Sequence, residues 1–563
     1  MTMINVFIKL TLSFFLLNFF FIFCQEKYKK DCFISPLDIP LTLSGTFGEI
    51  RTNHFHAGID IPTNQKTGYP IYSCADGYVS RIKVSPWGFG KAIYINHKNG
   101  LTTVYAHLEN FNSEIQNYIL KQQYEKKTFS LDISLSKSAF QVKQGQIIGF
   151  SGSSGNSTGP HLHFEVRESA LQKPINPMQF SFPIKDTRKP IIKSIFIYEK
   201  KQNEKFERSE YTAKNNTLIP DLISGEFGIG LETYDKNDNS SIKTGVNTIK
   251  VFLDQQLYYH FELNGFLFSE KRYVNSHIDY KERLQSRRKI HKCFLEKNNK
   301  LKGAYLKINN KGILNNLKDG KHEVKIIVSD SYQNSSEITF FLNYENQNVE
   351  KKTEKEEKPN DYYINSNQDY SFSQNKVDIM IKKGNLYTDC DFIYKEIKKE
   401  NNNTSYIIGD KNIPIHKGFS IAIKPDYHIN ESKNKLALAQ LKNNKWSYIK
   451  SKWKNEKLQG TSKSFGQFTI IKDTKKPTIK AINLKEDMSG KKSIKFKVRD
   501  NFSGINYYTA TLNGEWILME YDAKNNLLEH FFKNGTSNKK QKLILTVKDG
   551  LENEQKKEFY FKR

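Results

Sequence analysis

Cysteine is scarce in this chain. Five occur among 563 residues, at positions 24, 32, 74, 293 and 390. So few scattered thiols cannot staple a fold of this length, which excludes a disulfide scaffold. No C-x-x-C pair occurs, so a cysteine-ligated zinc site is not expected. Within one domain, Cys32 and Cys74 are the candidate pair for a bridge, although spacing in sequence does not give distance. Long apolar runs are lacking beyond residue 23, which excludes a multi-span membrane protein. Acidic residues are in deficit, 60 Asp and Glu against 87 Lys and Arg, for a formal charge of +27. The excess is diffuse and rich in Lys and Asn. It suits an anionic partner such as a cell-wall polymer or an acidic lipid face but selects none, and a Lys- and Asn-rich coding bias would produce the same excess. No basic helix or aromatic stacking motif stands out, so nucleic acid is not expected as a partner.

What is present is enough apolar sequence for several cores, 37% hydrophobic and 13% aromatic. At about 150 residues per domain the length corresponds to three or four domains. Residues 1–25 read as a secretion signal: Lys9 is the sole charge before the apolar stretch Leu10 to Phe23, and charged sequence resumes at Glu26. Phe23 is not the small residue that usually precedes a lipidated cysteine, so lipidation of Cys24 is not expected. The protein is therefore expected to be exported, to the periplasm or the cell surface, with no stable membrane span after signal removal.

Three marks punctuate the rest. Asp186-Thr187-Arg188-Lys189-Pro190 recurs as Asp473-Thr474-Lys475-Lys476-Pro477, and each copy leads into an alternating apolar segment, Ile191 to Tyr198 and Thr478 to Leu484. A charged tract without apolar period, residues 347–364, reads as a linker. A further echo pairs Val328-Ser329-Asp330 and Asn334 with Val547-Lys548-Asp549 and Asn553, and Val498-Arg499-Asp500 is a related turn. Short strands separated by such turns predict β-sandwiches. The segments resemble bacterial immunoglobulin-like modules. The expected division is a first domain over 26–185, an Ig-like β-sandwich with an insertion over 186–346, a β-sandwich over 365–472 and an Ig-like β-sandwich over 473–563. As modules they are expected to act chiefly as spacers or platforms.

Residues 41–168 differ in character: they are glycine-rich and hold six of the 13 histidines. Ala92 to His97 and Leu101 to Leu108 flank Lys98-Asn99-Gly100, a hairpin signal. In His161-Leu162-His163-Phe164-Glu165-Val166-Arg167 the alternation sends Leu162, Phe164 and Val166 to one face and both histidines, Glu165 and Arg167 to the other. Two imidazoles then project together, roughly 6–7 Å apart along the strand. That geometry suits one metal ligand and one group facing an open coordination position. Upstream, His56 and Asp60 are four residues apart, too far to share an ion in a straight strand, and Gly58 permits the turn that would close the gap. Two histidines and a carboxylate with one position open form a catalytic zinc shell. His54 competes with His56 through its own His-x-His spacing, and His97 on the hairpin arm is expected to be packed. The histidines beyond 168 read as ordinary surface or core residues.

His56-x-x-x-Asp60, Tyr105-Ala106-His107-Leu108 and Gly159-Pro160-His161-Leu162-His163 together resemble the motifs of peptidase family M23, the lysostaphin- and LytM-type zinc endopeptidases, which cleave peptide cross-links of peptidoglycan. The resemblance covers roughly residues 38–168. It implies an all-β chain: an antiparallel β-sheet peptidase domain followed by about three β-sandwich domains. It implies Zn2+ held by His56, Asp60 and His163, with His107 and His161 beside the zinc water and the scissile carbonyl, and peptidoglycan as substrate. No further cofactor is implied, and either His107 or His161 could be the general base. Two features depart from the family pattern. The stretch Glu109 to Lys143 is long, and its helical spacing from Ser113 to Tyr124 (Ile115, Tyr118, Ile119) suits a wall or lid over the groove. No tyrosine lies in Ile50 to Phe55, just before the first ligand. The alternative readings are a catalytically silent wall-binding or enzyme-activating relative, and a surface adhesin acting through its sandwiches. A regulatory protein partner is compatible with any of these.

Overall fold

The computed structural model describes residues 28–201, 206–238, 240–346, 362–398, 404–426, 433–532 and 539–563. The secretion-signal reading, Cys24 and most of the charged linker lie outside these residues. The described chain is built almost entirely of antiparallel sheets. No described helix is long and apolar enough to cross a membrane. The four described cysteines are free thiols, so the candidate bridge between Cys32 and Cys74 is not formed.

The histidine-rich region forms an eight-stranded sheet from β1 (Ile59–Pro62), β2 (Gly77–Val84), β3 (Lys91–His97), β4 (Leu101–Leu108), β5 (Leu131–Ser134), β6 (Gln141–Val142), β7 (His161–Glu168) and β8 (Lys173–Ile175). The order is β6-β2-β3-β4-β7-β8; β1 pairs with β7 and β5 with β2. The hairpin foreseen around Asn99-Gly100 is β3–β4, with Gly100 in the left-handed region at φ 79°. Leu162, Phe164 and Val166 enter the main core as their alternation requires. The long connection carries helix α1 (Ser113–Lys126), whose start is fixed by the Asn112 side chain accepting from the Ile115 amide. Its buried face is Ile115, Ile119 and Gln123, and Tyr124 meets Trp516 edge-on at 5.2 Å. The expected wall or lid is thus a helix packed into the core and against residues near the C-terminus.

Residues 191–345 form a four-stranded and a six-stranded sheet, with one parallel pair between Thr217–Ser224 and Ser335–Glu345. Residues 370–472 form two five-stranded sheets, preceded by Tyr363–Ile364, which pair with Cys390–Asp391 at the end of the expected linker. Residues 478–562 form two four-stranded sheets. The second proline-led segment is shorter than its alternation suggested, ending at Ala481.

The cores cross these boundaries. One apolar cluster unites the histidine-rich sheet with the C-terminal pair of sheets. A second joins the 191–345 sheets to Phe47, Ile50 and Phe55. Phe266 makes the latter contact, with its ring 5.6 Å from Phe47 and 5.9 Å from Phe55. The segment before His56 is therefore held by a neighbouring sandwich as well as by its own sheet.

Candidate metal centre

Strand register brings the distant motifs together. On β7, His163 lies directly across from Asp60 of β1 on one side and Ala106 of β4 on the other. Directly opposed side chains are neighbours whatever their separation in sequence. His56 reaches the same point because the chain bends before β1. Gly58 is required there by close approach, since a Cβ at this position would lie 2.2 Å from the Phe164 carbonyl oxygen.

Asp60 Oδ1 is 2.9 Å from His163 Nδ1 and 3.2 Å from His56 Nε2, and the two ring nitrogens are 3.1 Å apart. His161 Nε2 stands 3.6 Å from the same Asp60 oxygen. The His107 ring is 4.8 Å from that of His161 and 5.9 Å from that of His163. The five site residues read from the sequence thus lie in one cluster. His54 does not join it: its side chain is exposed, with Nδ1 turned to the Thr52 carbonyl. His97 is packed, bonded to the Asp76 carbonyl and the Thr103 hydroxyl. The buried pair His277 and His291, with ring nitrogens 2.9 Å apart and His277 stacked on Phe261, is likewise core.

Each of the four site imidazoles is anchored through its outward nitrogen. His56 Nδ1 donates to the Thr46 carbonyl, His107 Nδ1 to the Ser154 carbonyl and His161 Nδ1 to the Gly159 carbonyl. His163 Nε2 donates to Glu165 Oε1, and that carboxylate accepts in turn from Arg167 Nε. The inner nitrogens thereby face the cluster, the arrangement by which outer hydrogen bonds fix ligand tautomers. Thr46 is itself tied to the neighbouring sandwich: its hydroxyl accepts from the Gly245 amide at 3.1 Å.

The electrostatics favour a positive charge at the centre. Burial pushes the Asp60 carboxyl up, but His56, His161 and His163 more than offset it and hold it well below the usual carboxylate range. Burial lowers His163, yet Asp60 and Glu165 on either side raise it to about 9. Burial, reinforced by His163 and His161, lowers His107 to about 3 and keeps it a neutral imidazole. Two inward nitrogens and a carboxylate oxygen are all electron-pair donors, so the cluster is complete only with a proton or a cation between them. The residues His56, Asp60 and His163 therefore fit a metal ion.

His107 sits in the left-handed region at φ 62°, with its amide bonded to the Phe89 carbonyl. Such a conformation costs a non-glycine residue roughly 1–3 kcal/mol and is concentrated at functional positions. It is imposed here by the irregular pairing of β3 with β4 between Lys91 and Ile93. Phe89 also closes one side of the cluster, its ring 5.1 Å from that of His163. Sequence reasoning passed over Phe89 and gave Glu165 no role, although Glu165 alternates onto the same face as His163. The loop leading to β7 is held from outside its sheet: Lys524 Nζ donates to Ser153 Oγ and the Ser157 carbonyl, both at 3.1 Å, and Lys91 pairs with Glu520 at 3.0 Å.

An antiparallel sheet presenting this cluster, with two further imidazoles beside a metal-ready triad, has the makings of a metallohydrolase site. Residues 54–125 and 121–177 match the model of peptidase family M23. Residues 361–473 match the Zu5-like domain. The chain is 35% identical over 134 residues to the DD-carboxypeptidase/endopeptidase Mpg of Neisseria meningitidis serogroup B, covering 24% of each chain. It is 31% identical over 189 residues to the peptidoglycan DD-endopeptidase ShyC of Vibrio cholerae serotype O1, covering 32% of this chain and 36% of that one. The match thus spans about a quarter to a third of the length of these relatives. Among solved structures, the catalytic domain of the prophage-encoded M23 protein EnpA from Enterococcus faecalis aligns with 26% of this chain and 95% of its own, at 28% identity and a TM-score of 0.20.

Proposed function

We propose that the protein is an exported zinc endopeptidase that hydrolyses peptide bonds in peptidoglycan stem peptides or cross-links. The observation carrying this reading is the convergence of His56, Asp60 and His163 on one point, with the inner nitrogens of His107 and His161 beside it. The similarity to peptidoglycan endopeptidases over the same residues supports the choice of substrate.

His56 Nε2, Asp60 Oδ1 and His163 Nδ1 would hold the zinc. Bound there, zinc lowers the pKa of water to about 7 and polarises a carbonyl. His107 and His161 do the proton work. His107 is neutral at any ordinary pH, with Nδ1–H committed to Ser154, so its Nε2 is free to accept a proton. His161 is oriented in the same way by Gly159 and can hold or return a proton at Nε2. Having taken the proton during the reaction, either would stabilise the oxyanion that develops on the carbonyl. Phe89 helps exclude water from the cluster, and Glu165 keeps the His163 ring in its orientation.

Digestion of purified sacculi by the wild-type protein and by His163→Ala, with released fragments read by mass, tests the reading and identifies the bond. The wild type is expected to release peptide fragments and the variant none, with its circular dichroism unchanged. Equal products from both proteins would refute it. The cationic surface would prolong residence on an anionic wall. Sacculus binding that is unchanged between low and high salt would remove charge as the reason.

A further inference from the structure

The repeated Asp-Thr marks each close on a triad of carboxylates. Asp186 joins Asp235 and Asp330, and Asp473 joins Asp500 and Asp549; within each triad one oxygen from each residue lies within 4.8 Å of the other two. The two triads are built alike. Asp186 and Asp473 lead the proline-led strands. Asp235 follows the strand Phe227–Tyr234, as Asp500 follows Ser493–Arg499. Asp330 follows Gly320–Ser329, and Asp549 ends Lys540–Asp549. In both, the turn after the third Asp is fixed by an asparagine. Asn334 Nδ2 donates to Asp330 and to the Asp186 carbonyl, and Asn553 Nδ2 donates to Asp549 and to the Asp473 carbonyl.

Five of these six carboxylates are buried, Asp235 at 1% and Asp473 at 3% exposure and Asp549 completely, and Asp500 is half-buried. Among the described residues, four buried carboxylate oxygens have no hydrogen-bond partner, and three of them belong to the triads: Asp235 Oδ1, Asp473 Oδ2 and Asp500 Oδ1. Ion pairs are plentiful elsewhere on this cationic chain, yet none of the described ion pairs uses any of the six. Burial and the neighbouring Asp186 and Asp330 push Asp235 up to about 7. Backbone amides and asparagines satisfy most of the other oxygens, among them both of Asp330 and both of Asp549. A buried anion is normally compensated by a cation as well, and three converging carboxylates with no cation and at least one bare oxygen are costly. The same arrangement occurring in two modules makes an accident of packing a poor explanation.

We propose that each triad binds one divalent cation of the calcium class. The donors are all hard oxygens, which excludes a preference for the soft or nitrogen-seeking metals suited to the histidine cluster. Calcium accepts six to eight oxygens in flexible geometry, so three carboxylates can be completed by backbone carbonyls and water, whereas magnesium demands a tighter octahedron. Each site would tie the chain entering a sandwich to two of that sandwich's turns. Asp186 would fix the passage from the histidine-rich sheet to the 191–345 sheets, and Asp473 the passage from the 370–472 sheets to the last pair.

The test is equilibrium dialysis of the full-length, zinc-loaded protein against calcium up to about 5 mM, above the range over which extracellular modules bind it. Two calcium ions per chain are expected for the wild type, one for Asp235→Asn, one for Asp500→Asn and none for the double variant, with zinc content unchanged throughout. Thermal unfolding supplies an independent sign. Without calcium, each variant should unfold at or above the wild-type temperature, because a repelling charge is gone. With calcium the order should reverse. A wild type that binds no calcium, variants that still bind two, or a wild-type transition that calcium does not move would overturn the proposal. Equal displacement of calcium by the same concentration of magnesium would overturn the calcium class.

Discussion

The histidine cluster and the carboxylate triads are two ways of gathering electron-pair donors at one point inside β-sheet protein. The first mixes two imidazole nitrogens with one carboxylate and supports every outer nitrogen with a carbonyl or carboxylate. The second uses oxygen alone and leaves several of its oxygens without partners. Donor type separates the metals each can select, and the outer hydrogen bonds separate their tasks. Oriented imidazoles can move protons beside the ion, whereas the aspartates can only bind and brace. Chemistry is thus expected from one cluster and rigidity from the other, and the two should respond independently to mutation.

The largest effect is expected from His163→Ala, which should abolish both zinc binding and hydrolysis while leaving calcium stoichiometry at two, as read by elemental analysis and fragment release. His107→Ala should retain zinc and lose roughly 10²–10⁴-fold in turnover, the usual contribution of a positioned acid–base group. Zinc loss in that variant would make His107 a ligand and collapse the distinction between holding the ion and moving the proton. Glu165→Gln should weaken zinc affinity by roughly 10–100-fold, because it loosens the orientation of His163. Competition against a chromophoric chelator measures this directly. A smaller effect is expected where the C-terminal sheets hold the Ser151–Gly159 loop. Removing the contact of the exposed Lys524 should cost about 1 kcal/mol or less, visible as at most about a fivefold change in kcat/KM.

A separate effect, read on stability rather than on activity, is one of pH. Burial lowers His291 to about 3, and His277 is lowered well below its ordinary value. Between pH 3 and the unfolded value of about 6.5, the unfolded chain binds protons that the fold refuses. The stability from excluding them is therefore complete above about pH 6.5 and is lost as pH falls towards 3, at about 1.4 kcal/mol per unit for each proton. Denaturant titrations of the full chain across that range, compared with His291→Phe, should show a shallower slope in the variant.

Much of the site was legible because its signals are local. The alternation of His161 to Arg167 gives the facing of both histidines, and the M23-like spacing names His56, Asp60 and His107. What sequence could not supply is the register that sets Asp60 across from His163, because β1 and β7 are about a hundred residues apart and pair through the fold. Glu165 was visible on the correct face, but its bond to His163 needed the ring orientation. The helix after Asn112 was readable from Ile115, Tyr118 and Ile119; its docking on Trp516 was not, since nothing near residue 124 points to residue 516. The aspartate repeats were evident as punctuation. Their convergence was hidden because each triad gathers residues separated by tens of positions into one buried point.

In the proposed function, one metal ion held by His56, Asp60 and His163 switches this protein on. Zinc titration of the chelator-stripped protein, with fragment release from sacculi as the readout, tests it most directly. Activity should rise linearly and break at one equivalent in the wild type, and stay at baseline throughout in His163→Ala. Full activity in the stripped protein, or an equal response from the variant, would contradict the account.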